Sequence, residues 1–482
     1  LFYYAYQFAF IHGRENKNPA FKYRLSPAFA PPSVLHTCLN SLACICGFKL
    51  LLAGMNKKHQ TTGMRFFYIV ILFLSVSVSA TAQKDYVKKG DKFMQSFRFD
   101  KAAAMYKKAA DADANNVPAW EKLAKAFVMM GDNASAESVY KILSENPLAP
   151  HINKFYYAQQ LRIAGKYKEA GEAYKAYALA VPTDPRAIEF KNFADDIEPL
   201  AKDYKVYELN ILPDNSPASE IGPAYNDGKL VFASNRGRSQ GMATVDFWTG
   251  RGYYDLYEQR SAGAGDSVVP AKFKGKVSRR FNEGPATFTR DGKEMIYSSA
   301  NYKEKSTDGY RKLGLYHADY DAKKKKWVNI KPLSFNNKEY NVTHPSLSKD
   351  GKRLFFVSDM PGGLGETDIY VSQKNGNNWE QPVNLGKEVN TSGAEMFPFL
   401  ADDGTLYFST DSRVGLGGLD IYSATQNGSN WGYVQNLGAG ANTTGDDLSY
   451  ISDETGRFGF IASERTGGVG GDDIYKFKRN AE

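Results

Sequence analysis

The sequence predicts an α + β multidomain chain, an N-terminal α-helical repeat solenoid followed by an all-β propeller of five four-stranded blades. Two periods carry this prediction. In the first half Ala102, Ala136 and Ala170 stand 34 residues apart, as do Tyr106, Tyr140 and Tyr174. In the second half Trp327, Trp379 and Trp431 stand 52 apart. So do Asp368-Ile-Tyr370 and Asp420-Ile-Tyr422, with Asp473-Ile-Tyr475 following after 53. Long fixed periods mark stacked or radial repeat architectures. Aromatics at 14% and charged residues at 24% fit packed repeats better than disorder.

An export segment is expected ahead of the repeats. Lys57, Lys58 and Arg65 form a basic stretch, Phe66 to Val78 an apolar core, and Ala80-Thr81-Ala82 a cleavage site before Gln83. The apolar run is shorter than the ~18–20 residues of a membrane-spanning helix. A signal peptide over 55–82 is therefore expected, leaving no membrane span after cleavage. Gln83 stands where lipid attachment would need cysteine. The chain opens on Leu1, and Met55 or Met64 makes a better start. Residues 1–54 are thus expected to be non-native upstream translation. They hold all three cysteines, Cys38, Cys44 and Cys46, in a C-x₅-C-x-C spacing that fits no standard zinc pattern.

Residues 84–200 are expected to form three helical repeats. Thirty-four residues suit two antiparallel helices and two turns. Alanines let the helices approach closely, and tyrosines fill the gap to the next unit. Gly131-Asp132 and Gly165-Lys166 mark turns within units, while Pro147 and Pro182 close them. Trp120-Glu-Lys-Leu123-Ala124 resembles the W-x₂-L-G signature of the tetratricopeptide repeat, with Ala124 in place of glycine. That resemblance implies a concave peptide-binding groove, against the alternative of a structural spacer, and makes Trp120 a candidate partner-binding residue.

Residues 205–480 are expected to form the propeller. Each unit opens with a proline and an Asp-Gly turn: Pro223 with Asp227-Gly228, Pro285 with Asp291-Gly292, Pro345 with Asp350-Gly351, and Pro398 with Asp403-Gly404. In the fifth, Tyr450 and Thr455-Gly456 take those places. Asp-Gly between apolar runs signals a hairpin because both residues tolerate positive φ. The fourth unit reads as strands at 395–400, 406–410, 419–424 and 431–437. The fifth stops after its third strand at Phe477, and the orphan Lys205 to Leu212 is expected to supply the missing one. Insertions at Gly237 to Tyr253 and Asn301 to Lys312 are candidate contact loops.

No catalytic set emerges. There is no G-x-S-x-G elbow. After the export segment only His151, His317 and His344 remain, none in H-x-x-x-H spacing. Asp402-Asp403, Asp446-Asp447 and Asp472-Asp473 read as calcium ligands or an acid/base pair, or as turn residues copied by repetition, and no EF-hand string accompanies them. The Gly-rich strings 361–365, 415–418 and 467–471 precede strands rather than the helix a phosphate loop requires. Arg236, Arg413 and Arg465 occupy similar places after second strands. They are candidates either to bind an acidic partner or to pair with nearby aspartates. The net charge of +8 is dispersed, and the run Lys323 to Lys326 reads as a solvated hairpin tip. Nucleic acid is not an expected partner, and neither a cofactor nor a metal is expected.

The string Pro345…Asp350-Gly351…Phe356-Val-Ser358…Asp368-Ile-Tyr370 resembles the WD-like, TolB-like repeat of the periplasmic Tol–Pal propeller protein. With the helical repeats and the signal peptide, it is similar to outer-membrane-associated proteins of the OmpA family, some of them components of type IX secretion and gliding machinery. The resemblance implies a non-enzymatic periplasmic scaffold, associated with the outer membrane, that binds envelope proteins. Peptidoglycan would be gripped only through a C-terminal OmpA-like domain, which is expected to be missing after Glu482. Two alternatives are a ligand- or glycan-binding propeller and a channel-centred enzyme.

Overall fold

In the computed structural model the described residues are 84–237, 251–259, 270–273, 275–279, 281–301, 303–428 and 430–480. The expected signal peptide, the upstream residues and most of the Gly237 to Tyr253 insertion lie outside them.

Residues 84–94 (α1) and Phe99–Ala112 (α2) form the first helical pair. Val117–Met129 (α3) with Asn133–Glu145 (α4), and Ile152–Ile163 (α5) with Tyr167–Ala180 (α6), form the next two. Local chemistry sets the boundaries. The Asn116 and Asp132 side chains accept the Ala119 and Ser135 amides and so cap α3 and α4. Gly131 and Gly165, at φ +70° and +71°, end α3 and α5 in the left-handed conformation. Ala102, Ala136 and Ala170 are fully buried, and Tyr106, Tyr140 and Tyr174 are nearly so. The stack is longer than the three-unit reading. Pro185–Phe190 (α7) and Phe193–Ala201 (α8) add a short fourth pair that caps it. Phe190 stacks on Tyr174 at 4.6 Å and Phe193 lies 4.9 Å from the same ring. Prolines at 185 and 199 hid this pair, because the first opens a helix and the second sits inside one.

Five antiparallel sheets follow. Blade one contains Glu220–Asn226, Lys229–Ser234, Asp255–Glu258 and Ala271–Lys272. Blade two contains Glu283–Phe288, Glu294–Ala300, Leu313–Asp321 and Lys326–Pro332. Blade three has Val342–Leu347, Arg353–Ser358 and Asp368–Asn375, with an outer strand broken into Asn378–Trp379 and Val383–Asn384. Pro382 lies at the break, where it has no N–H to give the ladder. Blade four contains Glu395–Leu400, Leu406–Thr410, Asp420–Asn427 and Asn430–Asn436. Blade five contains Asp447–Ser452, Phe458–Ser463 and Asp473–Arg479, and its outer strand is Tyr207–Ile211. That strand pairs antiparallel in the register Tyr207 to Arg479 and Ile211 to Tyr475. The first propeller strand therefore closes the ring.

Two devices repeat around the ring. Every innermost strand carries a bulge, one residue before the proline or its Tyr450 substitute. The bulged residues Gly222, Gly284, His344, Phe397 and Ser449 all have positive φ, between +48° and +98°. A bulge bends the strand and sharpens its twist, which is what an inner strand needs as it turns along the axis. The second device is an asparagine between blades. Asn336, Asn390, Asn442 and Asn215 each accept the N–H and donate to the C=O of one third-strand residue, Leu315, Ile369, Ile421 and Ile474 respectively. Asn215 repeats this latch across the ring closure.

Removing residues 205–212 should lower the melting temperature sharply. Asn215→Ala should cost ~1–3 kcal/mol through two unsatisfied backbone groups, a drop of a few degrees in Tm. Thermal unfolding followed by circular dichroism checks both; an unchanged Tm for the deletion contradicts the closure.

Candidate protein-binding surfaces

The helical stack sits on the face of the ring where the loops between second and third strands emerge. One side chain makes three of the hydrogen bonds across the junction. Arg162, on α5, is fully buried. It donates to the backbone oxygens of Arg413 and Asp411 at 3.0 Å each and of Gly418 at 3.4 Å. Its guanidinium lies 5.6 Å over the Phe190 ring. A guanidinium cannot shed its charge, so these carbonyl dipoles replace the water it has lost. Around it, Tyr167 Oη donates to the Leu416 oxygen at 3.0 Å, and Leu416 packs with Phe155, Tyr174 and Phe193. The Ala439 amide bonds the Leu200 oxygen at 2.8 Å. At the far end of the stack, Tyr310 from the blade-two insertion donates to the Gln95 oxygen at 2.7 Å and lies 5.3 Å from the Phe97 ring.

The arginines singled out in the sequence engage the protein itself. Arg236 donates to Ser234 Oγ and to the Asp214 oxygen, and pairs with buried Glu220 at 3.1 Å. Arg465 repeats the pattern with Ser463, the Gly440 and Ala441 oxygens, and buried Asp447 at 2.9 Å. Arg413 donates to the Glu388 and Val389 oxygens. Each thus staples the linker that enters its blade. Trp120 is half-buried against Ala109, Ala110, Ala119, Tyr86 and Val87. Two of the residues that join the domains, Arg162 and Tyr310, carry no repeat signal. A lone arginine on an amphipathic helix looks like any solvent-facing one.

The inner strands of all five blades enclose a channel of about 540 Å³. Its wall is made of bulged backbone, prolines and small hydroxyls such as Thr287, Ser346 and Ser449. His344 stacks on Phe397 at 3.8 Å, and burial lowers its pKa to about 3, so the ring is neutral. At the Asp-Gly mouth Arg290 reaches across to Asp402 at 3.0 Å and to Glu454, while Lys349 meets Asp402 at 2.8 Å. The acidic doublets have separate tasks. Asp403 caps its turn, Asp446 accepts the Leu419 amide, Asp447 accepts Thr443, Ser463 and Arg465, and Asp473 accepts the Val469 and Gly470 amides.

Burial holds several of these carboxyls above the usual range. Asp420 rises to about 8, although Arg162 pulls it down, and Glu395 and Asp472 also rise to about 8. A carboxyl with a raised folded pKa stabilises the fold below its unfolded value and loses that contribution as pH rises through the folded one. The melting temperature should therefore fall between about pH 5 and about pH 8, and Asp420→Asn should flatten the profile. Tm rising over that window contradicts this. Arg162→Ala should cost ~2–4 kcal/mol and split the calorimetric transition into a helical and a propeller component; one unshifted transition contradicts the junction's role.

Residues 93–155 match the tetratricopeptide repeat family. No curated protein matches the chain significantly. Among solved structures, the first TPR of Spaghetti bound to an HSP90 peptide is 20% identical, covering 24% of this chain and 92% of that one at a TM-score of 0.22. An α-L-arabinofuranosidase from Lactobacillus brevis is 10% identical, covering 54% and 90% at 0.34. The propeller domain of the Trilobed protease from Pyrococcus furiosus is 11% identical, covering 55% and 70% at 0.26. None is close enough to carry a function across. Among the described residues, no helix is long and apolar enough to cross a membrane. The chain combines a tetratricopeptide-repeat region with a five-bladed β-propeller, an arrangement that suggests protein partners.

Proposed function

We propose that this chain is a non-enzymatic scaffold that holds protein partners of the bacterial cell envelope, exported to the periplasm and associated with the outer membrane. The observation that carries the reading is the fixed junction. Two architectures suited to gripping proteins are locked into one rigid unit through Arg162. A buried charge whose terminal nitrogens are held by three carbonyls of the other domain is costly to break, so the two surfaces are held at a constant offset. Export rests on the basic stretch, apolar core and Ala-x-Ala of residues 55–82. The resemblance to OmpA-family envelope proteins and TolB-like propellers supports a place in a secretion or gliding assembly.

The non-enzymatic reading draws on what the polar groups do. Arg236, Arg465 and the acidic doublets are engaged in holding linkers and turns. Immobilised full chain should retain a reproducible set of proteins from an envelope extract, and residues 55–83 fused to a reporter active only after export should give signal. Retention of no protein above background, with a sugar raising Tm instead, would replace the scaffold with a glycan-binding propeller. A silent reporter would remove the periplasm.

A further inference from the structure

The two ends of the channel differ. On the stack side of the bulges Glu220, Glu283, Val342, Glu395 and Asp447 are fully buried and do not line it. The lining begins at the bulged residues Gly222, His344, Phe397 and Ser449 and runs to the Asp-Gly turns. Among the described residues the channel is thus a blind pocket with one mouth. Three ion pairs cross that mouth. Arg290 of blade two reaches Asp402 of blade four and Glu454 of blade five, neither of them a neighbouring blade. Lys349 of blade three meets the same Asp402 oxygen. Neighbouring blades are already joined by hydrogen bonds between their inner strands, so these pairs act on the opening. Arg290, Lys349 and Glu454 are more than half exposed. Such pairs are individually weak and are screened by salt, which suits a lid better than a staple.

Below the lid charge disappears. The charged lining residues, Asp227, Arg290, Lys349, Asp402, Asp453 and Glu454, all belong to the turns at the mouth. Deeper in, His344 is neutral, and the wall is prolines, aromatic rings and hydroxyls. Thr287, Ser346 and Ser449 accept the Leu347, Leu400 and Gly222 amides of the next blade at 3.1, 3.3 and 3.2 Å. A hydroxyl that accepts still has a proton to donate, and none of these three donates to another described residue. A charged occupant would give up its hydration here with no opposite charge to replace it. We propose that the channel binds a small uncharged molecule bearing acceptor oxygens, admitted when the Arg290 lid opens. The volume of about 540 Å³ suits an occupant of that size. This goes beyond the scaffold reading and does not depend on it.

The test places one thiol in the wall, as Ser346→Cys in the full chain with Cys38, Cys44 and Cys46 replaced by serine. The probe is hydroxyethyl methanethiosulfonate, which is uncharged and carries acceptor oxygens. Its reaction should be roughly tenfold slower in about 0.01 M salt than in about 1 M. With Arg290→Ala added, the fast rate should hold at both salt concentrations and Tm should not move. Without the lid, the sulfonatoethyl and trimethylammonioethyl reagents, each rate taken relative to free cysteine, should react roughly tenfold slower than the hydroxyethyl one. Should Ser346→Cys lower Tm, Ser452→Cys, also in the wall, carries the same measurements. A rate indifferent to Arg290, or a charged reagent entering as fast as the uncharged one, overturns the proposal. The scaffold reading is judged separately, by protein retention.

Discussion

The pairing of Tyr207–Ile211 with Asp473–Arg479 is the constraint on which the rest depends. Without it blade five would have three strands and an open edge beside the entry of blade one. An open edge invites pairing with other chains, and closure removes it. The same pairing decides where the helices go. The chain leaves α8 at Ala201 and must enter the outer edge of blade five a few residues later. The stack is therefore tethered beside blades four and five, within reach of the Arg413 loop and the Ala439 linker.

Within that closure, stability is built from copies of small interactions. Four asparagine latches bind a linker to the third strand of the blade it follows, and the arginine staples at 236, 413 and 465 bind linker carbonyls from the blade that comes next. Bulged inner strands bring a side chain of one blade to an amide of the next, as Ser449 does for Gly222 and Thr287 for Leu347. Each contact is modest, but the ring makes them mutually dependent. Departures from repetition are informative. Leu416 is covered by the helix aromatics where Leu364 and Val469 are half-exposed, and Arg162 breaks the helical pattern to bond the backbone beside it.

Much of this was legible in the residues because repetition amplifies weak signals. The Trp and Asp-Ile-Tyr series, the Asp-Gly hairpins and the orphan strand 205–212 together implied a five-bladed ring closed by its first strand. The asparagine latch was not legible. Asn336, Asn390 and Asn442 lie among many turn asparagines, and their spacing shifts by two residues between blades. The short helices α7 and α8 were masked by their prolines, and the split outer strand of blade three by the missing donor at Pro382. For the arginine trio the sequence left binding and internal pairing side by side. The structure places Arg236 and Arg465 on buried acids, which no spacing rule reveals because those acids come from another strand.

Ring closure in one register can be tested covalently. Glu208 and Lys478 are direct partners across the closing pair, and antiparallel partners lie within the Cα separation a disulfide spans. In a background with Cys38, Cys44 and Cys46 replaced by serine, the pair Glu208→Cys and Lys478→Cys should oxidise spontaneously and nearly completely. The resulting bond should raise Tm, since it closes a very long loop. A displaced pair, Glu208→Cys with Lys476→Cys, should form far less. Equal oxidation of both pairs, or of neither, would contradict a ring closed by its first strand.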